Sequence, residues 1–151
     1  LPFIRDHGLG GMAYGSLGHG LLTGTMAPET KFSDDDWRST GYAFGLPLFE
    51  GEYFLRNLRI VDRLKGFAQE RGWTVAQMVV GWVISNNAVT VALTGAKNPL
   101  EIEENVKGAS CNLTIEDHDE IETILKSEAS LPDIPISRVF TRWQFMEARG
   151  G

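Results

Sequence analysis

Cysteine is almost absent: Cys111 is the single example in 151 residues, so no internal disulfide can form. Histidine is nearly as scarce, and His7, His19 and His118 stand too far from each other and from Cys111 to show metal-ligand spacing. Metal binding is therefore not expected. Positive charge is in deficit, with 14 Lys and Arg against 20 Asp and Glu and a net charge of −6. Phosphate backbones are bound by basic surfaces, so a general nucleic-acid binder is excluded. No apolar run approaches membrane-spanning length, and the opening residues lack the basic-then-apolar order of a signal peptide. No membrane contact and a cytoplasmic location are the expectation. No initiator Met is present either; Leu1–His7 followed by Gly8 has the look of a helix end, so the chain reads as a fragment.

What is present is an ordinary globular composition, 42% apolar and 23% charged, enough for one domain with a core. The most informative stretch runs from Val89 to Asn105. Val89-Thr90-Val91-Ala92-Leu93 is a short β-branched run that reads as a strand buried on both faces. Asn98 then supplies an N-cap, Pro99 suits the first helical position, and Glu101 can reach back to the cap's amide. A helix beginning directly after a strand presents free amides and partial positive charge, to which Lys97 adds a full cation, while Gly95 allows close approach of a ligand. Small-molecule anions bind in such places. Glu101, Glu104 and Asn105 would form the ligand-facing side of this helix, and Ile102, Val106 and Ala109 the side that anchors it on the sheet.

Leu9–Tyr14 reads as a second buried parallel strand despite its glycines. It runs into Gly15–Gly24, with four glycines in ten residues, yet without the spacing of a G-x-G-x-x-G fingerprint or a P-loop. From Thr25 to about Glu52 the chain is irregular, with one helical turn predicted at Ser33–Arg38 under a Ser33 cap. The Asp34-Asp35-Asp36 run is read as helix capping rather than as a cation site. A connection this long, when ordered, is commonly functional, for example as a lid. Tyr53–Arg71 is an amphipathic helix with Phe54, Leu58, Val61, Leu64 and Ala68 on one stripe, ended by Gly72. Thr74–Gln77 is a capping box that opens a helix apolar nearly all round, and Thr114–Asp117 opens another carrying Ile121, Ile124 and Leu125. A tail from Ser130 onward, containing Pro132 and Pro135, reads as extended chain and a short further segment. The element order predicts an α/β protein with a parallel sheet, although two strands alone do not make a stable one.

Three segments, Ala13–Gly24, the Thr74-Val75-Ala76-Gln77…Trp82-Val83 helix, and Gly95-Ala96-Lys97…Glu101…Glu104-Asn105, together resemble the C-terminal part of an aldo/keto reductase. The resemblance spans residues 1 to about 127, so it divides the chain into a barrel part, 1–129, and a tail, 130–151. It implies a (β/α)₈ TIM barrel of which this chain holds the last two strands, and NADP(H)-dependent reduction of an aldehyde or ketone. A whole barrel needs about 250 residues, with its site at the carboxyl ends of the strands. The family's catalytic Asp, Tyr, Lys and His come from earlier strands, and no segment here matches them. The fragment alone is expected to be inactive, with no catalytic residue to name. What carries over is the cofactor site: Tyr14 at the position that stacks on nicotinamide; Gly15, Ser16, Leu17 and Gly18 in the loop over the pyrophosphate; Gly95 and Lys97 at the adenosine 2′-phosphate; and Glu101, Glu104 and Asn105 around the adenosine. His19 is a minor candidate for cofactor contact. Position 101 is commonly Gln in related sequences, and a Glu there opposes a phosphate unless it is bonded elsewhere. The resemblance extends to potassium-channel beta subunits, which implies an alternative role as a regulatory NADP(H)-binding module. Partners implied are a small carbonyl substrate and, for exposed sheet edges, either a second copy or the missing N-terminal part.

Overall fold

The helix predicted around Phe54, Leu58, Val61, Leu64 and Ala68 forms as expected and buries all five side chains. The structure, a computed structural model, describes residues 1–128; the tail expected beyond Ser130 lies outside the described residues. In chain order the elements are α1 (Pro2–Asp6), β1 (Met12–Ala13), a 3₁₀ segment (Gly18–Thr23), a 3₁₀ turn (Trp37–Thr40), α2 (Gly51–Glu70), α3 (Val75–Ile84), β2 (Val91–Ala92), α4 (Pro99–Lys107), a 3₁₀ turn (Gly108–Ser110) and α5 (Ile115–Lys126). Helix dominates because the capping signals are strong. Thr74 accepts the Gln77 amide while Gln77 accepts the Thr74 amide, and Thr114 and Asp117 do the same at α5, each box being worth about 1 kcal/mol.

α3 lies at the centre of the core. Val75, Ala76, Met78, Val79, Val80 and Val83 are buried against α2, the Gly18–Thr23 segment and α5, which accounts for a helix apolar on nearly every side. Gly81 and Gly108 let α3 and the end of α4 approach closely: a Cβ on Gly108 would stand 2.8 Å from the Gln77 carbonyl oxygen. Arg71 ties α2 to α5, its Nε donating to Asp117 at 2.7 Å and its Nη2 to Glu120 at 3.1 Å, while the guanidinium lies 3.6 Å from the Phe67 ring centroid.

The two strands pair in parallel, Met12 with Val91 and Ala13 with Ala92. Each is shorter than expected, and the sheet is not buried on both faces: Ala13 is covered, whereas Met12, Val91 and Leu93 are exposed. A two-stranded ladder satisfies only one edge of each strand, so pairing stops where the facing backbone diverges. α4 departs from expectation in a second way. Its Ile102 and Val106 are 55% and 66% exposed, while Asn105 and Gly108 are the buried positions. The polar side thus faces the body of the protein, because the close approach to α3 is made at Gly108, on the same side as Asn105 and Glu101.

Candidate functional site

Parallel pairing puts the carboxyl ends of β1 and β2 on one side of the molecule, so the turn after Ala13 and the junction before α4 open in the same direction. Between them lies an open cleft of about 510 Å³ lined by His19, Ser33, Asp35, Asp36, Trp37, Arg38 and Lys97. The β1 turn contributes His19, the β2–α4 junction contributes Lys97, and everything else comes from the long connection before α2.

Tyr14 follows β1 and is 73% exposed, its ring edge-on to His19 at 6.1 Å and to Phe44 at 6.3 Å. Gly15 and Gly18 take positive φ, which a Cβ would disfavour, and so turn the chain back sharply. The side chains of Ser16 and Leu17 point inward: the Ser16 hydroxyl donates to the Ala13 carbonyl at 2.9 Å, and Leu17 joins the core. Gly18 is buried, and its amide donates to the Gly15 carbonyl at 2.8 Å, so this amide holds the loop rather than awaiting an anion. Ser16 and Leu17 can meet a ligand through backbone alone.

At the second junction Asn98 caps α4 by accepting the Glu101 amide at 3.1 Å, as its position predicts. Glu101 reaches further back than the cap: its carboxylate accepts from the Lys97 amide at 2.7 Å and from the Asn98 side-chain amide at 2.9 Å. Gly95 and Lys97 are exposed at the mouth, and Glu104 is half-buried. Asn105 is buried, and its side-chain amide faces the Gly95 carbonyl at 3.5 Å. Asn105 therefore braces the junction from behind rather than standing free on a ligand-facing side.

The connection before α2 carries functional groups that no motif singled out. The cap of its 3₁₀ turn is Asp36, not Ser33, and Asp36 accepts the Arg38 amide at 3.0 Å. The same carboxylate accepts from Arg38 Nε at 3.0 Å and Nη2 at 2.5 Å, and Nη1 donates across to the His19 carbonyl at 3.1 Å. Hydrogen bonds from Arg38, helped by the Lys97 charge, hold the Asp36 carboxyl down at about 2. His19 is pushed below its ordinary value, first by burial and then by the Arg38 charge, so it is neutral at pH 7. The cleft thus offers two cations, Arg38 and Lys97, with carboxylates already placed beside both. An arginine two residues after an acidic run in a long, ordered connection was the available signal, but it has no fixed spacing from the strands and so no motif.

Comparison with known proteins places the chain in a family. The sequence model of the aldo/keto reductase family matches residues 1–126. An aldo-keto reductase of Bacillus subtilis (strain 168), YhdN, is 35% identical over 133 residues, 87% of this chain and 39% of its own length. The L-glyceraldehyde 3-phosphate reductase of Escherichia coli (strain K12) is 33% identical over 76% of this chain and 32% of its own length. A probable voltage-gated potassium channel subunit beta of Arabidopsis thaliana is 32% identical over 88% of this chain and 40% of its own length. Among solved structures, a glycerol dehydrogenase from Gluconobacter oxydans superposes with a TM-score of 0.78 at 32% identity, covering 89% of this chain and 39% of the other. The chain spans about two-fifths or less of the length of these relatives. With a family match over most of the chain, and the α/β architecture shared with a solved member, the chain belongs to the aldo/keto reductase family.

Proposed function

We propose that this chain is the C-terminal, cofactor-gripping part of a longer (β/α)₈ reductase, acting in the cytoplasm, that uses NADP(H) to reduce an aldehyde or ketone to an alcohol. The observation that carries this reading is the shared opening of the two β-to-α junctions onto one cleft with two cations, Lys97 and Arg38. The donor set suits a dinucleotide. An exposed aromatic ring, Tyr14, stands beside His19, which lines the cleft, and two cations line the same cleft, the pairing that a flat nicotinamide and a chain of phosphates require. When bound, the nicotinamide supplies the hydride.

This chain's residues then hold rather than react. Tyr14 offers a ring face to the nicotinamide, which would leave the opposite face to the substrate. The backbone of Gly15–Gly18 would hold the pyrophosphate, with Arg38 supplying a cation to it from the connection. Lys97, with Gly95 beside it, would hold the adenosine 2′-phosphate. Glu104 and the bracing Asn105 would set the adenine end, and Glu101 would temper the phosphate site. No residue here is assigned to proton transfer, and the 151 residues alone are predicted inactive. The exposed apolar side of α4, Ile102 and Val106, together with the open strand edges, is the surface on which the N-terminal part of the barrel would pack.

The test is a fluorescence titration of the complete protein with NADPH and NADH, before and after Lys97→Ala. Loss of NADPH affinity well beyond any loss for NADH supports the assignment, and equal losses refute it. A second reading, a regulatory NADP(H)-binding module, draws on the similarity to the Arabidopsis channel subunit. Steady turnover of simple aldehydes by the complete protein excludes it.

A further inference from the structure

Among the described residues the two non-glycine residues at positive φ are His19 and Phe44, and their rings lie 5.5 Å apart. Strained backbone held by its surroundings clusters at ligand sites, and a bulky aromatic ring in this conformation is a true outlier. Phe44 sits in a tight hairpin in which Ala43 and Leu46 exchange both backbone hydrogen bonds, at 2.8 and 2.9 Å, with Phe44 at φ 51° and Gly45 at φ 77°. Positive φ at both central residues is the type I′ pattern, whose first position favours Asn, Asp or Gly. Burial does not explain the choice of Phe, because the side chain is 77% exposed. The base of the hairpin, in contrast, is fixed: Ala43, Leu48 and Phe49 are buried, and the Phe49 amide donates to the Gly41 carbonyl at 2.9 Å. A rigid turn thus presents an apolar ring outward, standing at 81° to the ring of Tyr14.

We propose that Phe44 is a specificity-determining wall of the substrate pocket, and that the corner it makes with Tyr14 selects carbonyl compounds carrying an aryl or similarly flat apolar substituent. The inference rests on reading Tyr14 as the nicotinamide platform. A carbonyl compound brought to a nicotinamide resting there has its substituent beside the Phe44 ring, where a flat apolar group gains contact and a hydrated polyol does not.

The experiment measures binding of benzaldehyde and of propanal to the NADP⁺-loaded complete protein by saturation-transfer NMR, with the oxidised cofactor preventing reduction. Wild type is compared with Phe44→Ala and with Phe44→Asn, which suits the turn and keeps the hairpin. The expected result is that benzaldehyde binds wild type about tenfold tighter than propanal and loses about tenfold in both variants, while propanal changes by less than about twofold and NADP⁺ affinity is unchanged. Unchanged benzaldehyde affinity in both variants, or equal losses for the two aldehydes, overturns the proposal. Phe44-dependent benzaldehyde binding to a protein that does not bind NADP⁺ supports the aryl corner while refuting the cofactor reading. NADP⁺ binding without benzaldehyde binding does the reverse, and binding of neither overturns both.

Discussion

Arg38 is fastened to His19 across nineteen residues of chain, its Nη1 donating to the His19 carbonyl oxygen at 3.1 Å, while the rest of the guanidinium is clasped by Asp36. One side chain therefore joins the turn after β1 to the long connection before α2 and points a fixed charge into the cleft. Arg38→Ala is expected to weaken NADPH and NADH alike, by about tenfold or more, because the pyrophosphate common to both would lose a charge-assisted contact. Titration by nucleotide fluorescence checks this; a loss confined to NADPH would place Arg38 at the other end of the ligand.

Glu101 bonds to the Lys97 amide at 2.7 Å and so brings a carboxylate to the place proposed for the 2′-phosphate. Glu101→Gln keeps an acceptor for that amide and removes the charge. NADPH is expected to bind several-fold more tightly to this variant and NADH to change by less than about twofold, since only the extra phosphate meets the carboxylate. Parallel titrations of both nucleotides decide it.

The pH dependence of the cleft follows from the depressed Asp36 carboxyl, held at about 2 by Arg38. A carboxyl whose folded value lies below its unfolded one stabilises the fold above the ordinary carboxylate range and loses that contribution as pH falls toward about 2. The Asp36–Arg38 clasp is therefore complete at neutral pH and opens only under strong acid. His19 has the same sign for a different reason: burial disfavours its charged form, so its contribution is whole above about pH 6.5 and declines as the solution is acidified below that. NMR titration of the His19 ring should give a value below that of a free histidine, and a bound dinucleotide should raise it.

A Cβ on Gly108 would meet Val80 Cβ at 2.7 Å and the Gln77 carbonyl oxygen at 2.8 Å, neither of which can move without separating α4 from α3. Gly108→Ala is expected to cost on the order of 1–3 kcal/mol by overpacking. Urea denaturation measures it. Unchanged stability would mean that the two helices are not seated as closely as described.

Much of this protein was open to a reader of its sequence, and the parts that were follow from local chemistry. The Thr74 and Thr114 capping boxes, the Asn98 cap with Pro99, and the α2 stripe from Phe54 to Ala68 each depend on residues within a turn or two of one another, so spacing alone locates them. The three motifs that place the chain in its family are of the same kind. The side of α4 that faces inward was decided elsewhere, by the fit of Gly108 against Val80 and Gln77, and that fit overrode the apolar pattern of Ile102 and Val106. The cleft was likewise beyond the reach of spacing. Asp36, Arg38 and Phe44 lie in a connection with no period to read, and they meet His19 and Tyr14 only once the turn after β1 has folded back on them. Local hydrogen bonding is written in neighbouring residues, whereas the meeting of distant segments depends on the shape of everything packed between them.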